Sequence, residues 1–201
     1  MSKTTNNTKT YYDQCFSSLQ KLIDITHEQF KLLVPLLEIR RFEKRKLILA
    51  EGDIENYVNM VMEGMIRKFV NTKKGEVTLQ LATEGHLVQS EISFHTRHAS
   101  EVALDTMEPT ILISLSHERL HEAFEKIPGT EELGRSIVTQ MFIKKDNRYF
   151  NQLKLNTRER FLEYMQTHPH MLQRVPQKIL ASYLNIKPET FSRLKHLIKR
   201  S

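Results

Sequence analysis

This sequence has very little cysteine, no tryptophan and no long apolar segment. Cys15 is the only cysteine among 201 residues, and tryptophan is absent. A single cysteine excludes a disulfide within one chain, a cysteine-ligated iron–sulfur cluster and a Cys-rich zinc site. No apolar run approaches the roughly 20 residues that cross a bilayer, and residues 1–10 lack the apolar core of a secretory signal. We therefore expect a cytoplasmic protein without a membrane partner.

Positive charge is concentrated at one end of the chain. The formal net charge is +6, from 30 Lys/Arg and 24 Asp/Glu. Residues 151–201 hold ten Lys/Arg and three Asp/Glu, whereas residues 1–150 carry a net charge of −1. This asymmetry makes the C-terminal quarter a candidate for contacting a polyanion, and a solvated basic tail is the alternative.

The hydrophobic pattern changes twice along the chain. Residues 13–37 have helical spacing, with a second helix starting after Thr26. From about 39 to 116, short β-rich runs alternate with turns, and glycines 52, 64, 75 and 85 mark turns at regular intervals. Turns at that spacing predict an all-β barrel or sandwich. Helical spacing returns after Ser116, which is a candidate N-cap.

A long amphipathic segment occupies residues 130–155. Leu133, Ile137, Met141 and then Tyr149 or Leu153 lie near one stripe. A helix of this length needs a partner for its apolar face, so the pattern predicts a dimer seam. The alternative is that the helix packs back on its own barrel.

The C-terminal quarter has helix-turn-helix spacing. Helices are predicted at 157–168, 176–184 and 188–199, with a turn at 185–187 between the last two. In such a unit the second helix lies in the DNA major groove and its N-terminal residues reach the base edges. Candidate base contacts are Glu189, Thr190, Ser192 and Arg193, and candidate phosphate contacts are Lys187, Lys195, His196, Lys199 and Arg200. A solvated basic helix with an apolar inner face is the alternative.

Four segments resemble the CRP/FNR superfamily of bacterial transcription regulators. KLILAEGD at 46–53 resembles the first strand and turn of that family, and YVNMVMEGMIR at 57–67 and KGEVTL at 74–79 resemble the next two hairpins. RVPQKILASYLNIKPETFSR at 174–193 is similar to the DNA-binding segment of a branch common in Bacteroidetes. The resemblance covers the chain from about residue 13 onward.

The resemblance implies an α+β fold. Its parts would be a disordered N-terminus (1–12), a double-stranded β-helix or β-roll like that of cyclic-nucleotide-binding domains, with flanking helices (13–129), a dimerisation helix (130–155) and an all-α helix-turn-helix domain without a full β-wing (156–201). The implied partners are double-stranded DNA with a near-palindromic operator, a second copy of the chain and RNA polymerase.

The same resemblance assigns roles within the recognition helix. Pro188, Glu189 and Arg193 match the main base-reading positions of the family. Pro188 departs from the basic residue of the best-known members and lacks a side-chain donor. We therefore expect readout at that base pair to weaken or shift.

An effector pocket is expected in the roll, but not one for cAMP or cGMP. In the family a Glu contacts the ribose, and an Arg with a Ser or Thr about ten residues later holds the cyclic phosphate. Glu91 matches the ribose-binding Glu, whereas the position of the phosphate-binding Arg falls on Ser100 or Glu101. Arg97 lies three or four residues before that position. Losing a bidentate Arg–phosphate pair removes the strongest polar contact of such a pocket. The candidate pocket residues are Ser90, Glu91, Ile92, Ser93, Arg97, Ser100 and Glu101, and no cofactor is expected.

Two further functions stay open. His86, His95 and His98 together with Glu91 would suit a cupin-like metalloprotein, but their spacing is not that of cupins, so no metal site is expected. No catalytic Ser/His/Asp or nucleotide-binding Gly-rich motif is present, and we expect no enzyme activity. The other alternative is a ligand-sensing β-roll whose basic tail binds a protein or RNA.

Overall fold

Among the described residues, eight strands form two four-stranded sheets. The structure is a computed structural model that describes residues 2–198, with side chains from residue 9 onward. The strands are β1 (Leu37–Phe42), β2 (Leu47–Leu49), β3 (Tyr57–Glu63), β4 (Ile66–Thr72), β5 (Gly75–Ala82), β6 (Leu87–Val88), β7 (Ala103–Thr106) and β8 (Thr110–Ser116). The sheet orders are β1-β8-β3-β6 and β2-β7-β4-β5, with antiparallel pairing. Side chains of both sheets, including Val61, Ile66 and Leu104, meet in one apolar core, which is the predicted β-roll.

Helices flank the roll and build the C-terminal part. They are α1 (Ser2–Gln20), α2 (His27–Leu33), α3 (Glu91–Thr96), α4 (His117–Lys126), α5 (Thr130–Lys154), α6 (Thr157–Thr167), α7 (Met171–Arg174), α8 (Gln177–Tyr183) and α9 (Pro188–Ile198). The predicted helix start after Thr26 is confirmed, because Thr26 and Gln29 form a capping box. Ser116 likewise caps α4, its Oγ accepting from the backbone N–H of Arg119 at 3.2 Å.

The turn between β3 and β4 requires glycine. Gly64 has φ +87°, and a Cβ at this position would lie 2.3 Å from the carbonyl oxygen of Pro109. Both the left-handed backbone and the close approach of the chain exclude a side chain here. The other glycines of the predicted turns, at 52, 75 and 85, also have positive φ.

The structure differs from the sequence-based expectations at three places. Residues 1–12 were expected to be disordered, whereas α1 begins at Ser2, and Tyr11 is buried with its hydroxyl donating to Glu63 at 2.7 Å. Helical structure was expected through residue 37, but α2 ends at Leu33, Pro35 lies in a 3-10 turn at Val34–Leu36, and strand β1 starts at Leu37. Residues 91–96, for which no element was predicted, form α3.

The C-terminal helices share a core with the roll. Met65 and Leu81 of the roll pack in one cluster with Phe161, Leu180 and Phe191. A separate cluster joins α1, α2 and the start of α5 to the β1-β8-β3 face. The helix-turn-helix unit is therefore docked on the outer side of the roll.

Candidate nucleic-acid interface and effector pocket

A tight turn joins α8 to α9. Asn185 adopts the left-handed conformation at φ 55°, a conformation that asparagine tolerates better than most residues. The backbone N–H of Ile186 donates to the carbonyl of Ala181 at 3.0 Å, which closes the end of α8. The chain then enters α9 at Pro188, whose fixed φ suits the first turn of a helix.

The inner side of α9 is fixed by apolar packing. Phe191 is fully buried and meets the ring of Phe161 edge to face, with 5.1 Å between the ring centroids. Leu194 and Ile198 pack against the same cluster. Because these three side chains define the buried face, the opposite face must point to solvent.

The outward face of α9 carries the predicted contact residues. Glu189, Ser192, Arg193 and His196 are exposed, as are Lys187 and Pro188 before them, whereas Thr190 and Lys195 are half-buried. Lys199 and Arg200 lie outside the described residues. Within residues 2–198, the Arg193 guanidinium has one weak contact, to the hydroxyl of Thr190 at 3.5 Å. Its donors are therefore free to bind another molecule.

Arg174 links the helix-turn-helix unit to the roll. Its guanidinium donates to both carboxylate oxygens of Glu108 and of Glu84, at distances from 2.7 to 3.3 Å, and to the carbonyl oxygen of Gly64 at 3.0 Å. Hydrogen bonds with Glu108 and then Glu84 raise the pKa of Arg174. Burial is the largest single influence on Glu84 and opposes its ionisation. The hydrogen bonds from Arg174, the backbone hydrogen bonds and the charge of Arg174 together outweigh burial and hold the pKa of that carboxyl below its usual value.

A second set of contacts joins α5, α8 and β5. The Arg148 guanidinium lies 3.9 Å above the ring of Tyr183 and donates to the Tyr183 carbonyl at 2.9 Å. It also bonds the carbonyl of Leu79. The backbone N–H of Thr78 donates to the hydroxyl of Ser182 at 2.9 Å. The long helix, the helix-turn-helix unit and the roll therefore meet at one junction.

In the expected effector pocket, Glu91 is bound by a lysine of the same chain. Lys68 points from β4 into the roll and is only 8% exposed. Its ammonium donates to the carbonyl of Gln89 at 2.7 Å and makes an ion pair with the carboxylate of Glu91. The side-chain Oε1 of Gln89 is buried without a hydrogen-bond partner. The pocket thus presents a cation that is already paired and an unpaired acceptor.

The serines of the pocket bond to one another and to the backbone. Ser100 is buried, and its hydroxyl contacts the Ser90 hydroxyl at 2.8 Å and the Val102 carbonyl at 2.7 Å. The Ser93 hydroxyl donates to the carbonyl of His98 at 2.6 Å. These groups hold the α3–β7 segment in place.

The remaining pocket candidates face away. Arg97 donates to the carbonyl of Glu55 at 2.7 Å and contacts Asn56, so its guanidinium is held outside the roll. Ile92 and Glu101 are exposed. The structure therefore joins Ser90 to Ser100, pairs Glu91 with Lys68, leaves Arg97 half-buried against residues 55 and 56, and leaves Ile92 and Glu101 exposed.

Three contributing residues were not predicted from the sequence. Lys68 was missed, although Ile66 and Lys68 occupy same-facing positions in a strand and this alternation would place a lysine inside the roll. Glu55 is buried and accepts from the backbone N–H groups of Tyr57 and Ser90, and its burial raises the pKa of this carboxyl. Arg174 lies within the segment that carries the family resemblance, but no local pattern identifies its distant partners.

The long helix α5 has two apolar faces, whereas one stripe was predicted. Leu133 is buried and Ile137 packs against the roll. Val138, Phe142, Tyr149 and Leu153 are exposed by 48, 64, 55 and 66%. At about 100° per residue these four fall within about 60° of one another, on a side away from Leu133. The predicted stripe is wrong because it joined residues of both faces.

The histidines of the predicted metal-site alternative do not form a cluster, and the cysteine is buried. The ring of His86 bonds the backbone and hydroxyl of Thr83 within its own turn, and His95 and His98 are exposed. Within residues 2–198, no group of three or more His, Cys, Asp or Glu side chains is arranged to hold a metal ion. Cys15 is buried, and burial raises its pKa to about 12. No helix in this part of the chain is long and apolar enough to span a membrane.

Solved structures with the same fold are bacterial regulators and cyclic-nucleotide-binding proteins. The c-di-GMP-responsive global regulator CLP of Xanthomonas campestris aligns with TM-score 0.65 and 17% identity, over 87% of this chain and 92% of that one. The catabolite activator protein of Thermus thermophilus aligns with TM-score 0.54 and 20% identity, over 91% of this chain and 87% of that one. FixK2 of Bradyrhizobium japonicum aligns with TM-score 0.65 and 14% identity, over 82% of this chain and 85% of that one.

Sequence comparison alone adds nothing to this result, since no protein-family model and no curated protein sequence matches the chain. The structural neighbours are CRP/FNR-type regulators. The fold of this chain, a β-roll followed by a long helix and a docked helix-turn-helix unit, is the fold of the CRP/FNR regulators.

Proposed function

We propose that this protein is a dimeric DNA-binding transcription regulator that reads a near-palindromic operator with α9 and does not respond to cAMP or cGMP. The observation that carries the proposal is the outward face of α9. Glu189, Ser192 and Arg193 project from a helix whose other side is fixed by Phe191. A rigid helix presenting free hydrogen-bonding groups suits readout of base edges in the major groove.

The unpaired cations beside this face favour a nucleic acid partner. Lys187 and Lys195 flank the base-reading positions, and neither makes an ion pair within the described chain. Contacts of such cations with phosphates release counterions, so binding should weaken as salt rises. A DNA target also implies action in the cytoplasm.

The exposed stripe of α5 supports a dimer. Val138, Phe142, Tyr149 and Leu153 follow one another at intervals of four, seven and four residues, which is the spacing of a helix–helix seam. The opposite face of α5 is already covered by the roll. A second copy of the chain, contributing the same stripe, is the partner that would cover these side chains and supply a second recognition helix.

Selection from a random pool of duplex DNA tests the proposal. We expect the full chain to enrich an inverted repeat whose half-sites are centred about one helical turn, roughly 34–36 Å, apart or a multiple of it. A parallel selection from a random RNA pool should give no enrichment. Enrichment of RNA alone, or of no nucleic acid, would contradict the proposal and favour a basic tail with another partner.

The lack of a cyclic-nucleotide response is proposed from the pocket. A cyclic phosphate would need a free cation, whereas Lys68 is paired with Glu91, Arg97 is bound to Glu55 and Asn56, and Ser100 or Glu101 stands at the position of the family's arginine. Within the described residues the side-chain amide oxygen of Gln89 is unpaired and would repel an anion. Calorimetric titration with cAMP and with cGMP should give no heat of binding. Binding of either at micromolar or tighter affinity would contradict this part of the proposal.

A further inference from the structure

A cleft separates the outer face of the roll from the segment that leads into the helix-turn-helix unit. It measures about 670 Å³. The roll contributes the β1–β2 turn and the end of β7, and the other wall is formed by residues 172–177 and 179. A cleft of this size is in the range that takes small-molecule ligands.

Two cations in this cleft have no partner. Lys44 and Arg45 are exposed, and within residues 2–198 neither side chain makes an ion pair or a hydrogen bond. The acidic residue of the lining, Asp105, is already used, because both of its oxygens accept from Arg67 at 3.0 and 2.7 Å. Arg174, on the opposite wall, is bound by Glu84 and Glu108. The uncompensated charge in the cleft is therefore positive.

The rest of the lining can bind a small organic molecule. Gln173 and Gln177 expose side-chain amides that make no hydrogen bond within the described chain. Met107, Leu172 and Val175 supply apolar surface. This combination of apolar wall, amide donors and two free cations suits an anion that also carries a carbon skeleton.

We propose that this cleft is an effector site for a small phosphate ester, with the phosphate on Lys44 and Arg45 and the organic part against Met107 and Leu172. Such a ligand touches both the roll and the entry to α8. It therefore binds one relative arrangement of these parts more tightly than others and shifts the population toward it. The consequence for DNA binding rests on the function proposed above, whereas ligand binding itself does not.

Titration calorimetry with phenyl phosphate at about 50 mM salt, where screening is moderate, tests the site directly. We expect one molecule bound per chain, with weaker binding of inorganic phosphate because it lacks the apolar part. The double variant K44Q/R45Q should weaken phenyl phosphate binding by about tenfold or more. The matched control K73Q/K74Q removes two cations from the exposed β4–β5 turn and should leave binding unchanged.

Two results would overturn the proposal. One is a lack of phenyl phosphate binding to the unmodified chain. The other is an equal loss of affinity in K44Q/R45Q and K73Q/K74Q, which would indicate only a general charge effect. If K44Q/R45Q instead weakens binding to duplex DNA while phenyl phosphate does not bind, the two cations contact the DNA backbone and the effector site is rejected.

The outcome is independent of the regulator proposal. Loss of phenyl phosphate binding in K44Q/R45Q supports the site even if no DNA sequence is enriched. If an operator is found, the ligand should change DNA affinity by the same factor by which the operator changes ligand affinity, because coupling is reciprocal. An operator affinity that does not change at saturating phenyl phosphate would reject the regulatory role while leaving the site itself intact.

Discussion

Lys68 carries a buried positive charge in a β-roll whose relatives in the same fold include cyclic-nucleotide-binding proteins. Charge burial is unfavourable unless a partner compensates it. Glu91 and the carbonyl of Gln89 provide this compensation. The pair thus satisfies, within the chain, a carboxylate that the family resemblance assigns to ligand binding.

Replacing Lys68 with Met should destabilise the roll. The substitution keeps the shape but leaves Glu91 without its cation, and we expect a loss of about 1–3 kcal/mol in the free energy of unfolding, reduced by the partial exposure of Glu91. Urea denaturation of the K68M variant and of the parent chain measures this difference in the free energy of unfolding. The double variant K68M/E91Q should recover part of the loss, since the uncompensated charge is then gone. A K68M protein as stable as the parent chain would show that the ion pair has no structural role.

At the scale of single residues, the sequence identifies residues that lie in recognisable motifs. It misses residues whose role depends on strand direction or on distant partners. The resemblance identifies Glu91, because it follows the recognisable turn at Gly85, and its role in ligand binding stays a prediction. Lys68 was missed, although its alternation with Ile66 places it inside the roll, because lysines are ordinarily expected on the outer face of a strand. Arg174 could not be linked to its partners, because Glu84 and Glu108 lie 90 and 66 residues away.

Among the elements, α5 has two tasks. Its first turns complete the core of the roll through Leu133, and its exposed stripe is the surface that we propose for the dimer. A helix with apolar residues on two faces has no single periodic stripe, which is why the sequence pattern joined residues that point in different directions.

If the chain is the proposed dimer, substituting Phe142 with Asp should convert it to a monomer. Phe142 is 64% exposed in the single chain and central to the stripe, so a carboxylate there would be buried at a dimer seam without a partner. Light scattering after size-exclusion chromatography should give twice the chain mass for the parent protein and one chain mass for F142D. Leu32→Asp, at an exposed position on α2, is the matched control and should remain dimeric. A dimeric F142D would place the interface elsewhere.

Two of the elements that sequence analysis missed, β6 and β7, are short. β6 has two residues and β7 has four, and runs of this length carry too little alternation to identify a strand. Their place is set by pairing with β3 and β4. The long or capped elements, such as α4, α5 and α9, were predicted because periodicity and caps are local properties.

For the whole molecule, the docking of the helix-turn-helix unit on the roll determines where α9 points. Arg174 is central to this docking because its ion pairs join the two parts. The net charge is also divided by this architecture, with the positive excess in the docked unit and the roll close to neutral.

Acid should remove the contribution of Arg174 to stability. The folded-state pKa of Glu84 is lowered, so its stabilising effect is complete above the unfolded-state pKa of about 4.3 and is lost as the pH falls through the lower folded value. At pH 7 we expect Arg174→Gln to cost about 1–2 kcal/mol, a modest figure because the Glu84 side chain is 40% exposed. The difference between R174Q and the parent should shrink from about pH 4 downward. A difference that is constant from pH 7 to the acid limit of folding would contradict the assignment.

The central claim is that α9 reads DNA sequence, and a titration of Arg193→Ala against the selected operator tests it most directly. Fluorescence anisotropy should show a loss of about 1–3 kcal/mol in specific binding per half-site, with relaxed preference at one base pair and little change in binding to unrelated DNA. Lys73→Ala, a matched loss of one positive charge on the roll, should bind like the parent. Equal operator affinity for R193A and the parent protein would contradict the assignment of α9 as the recognition helix.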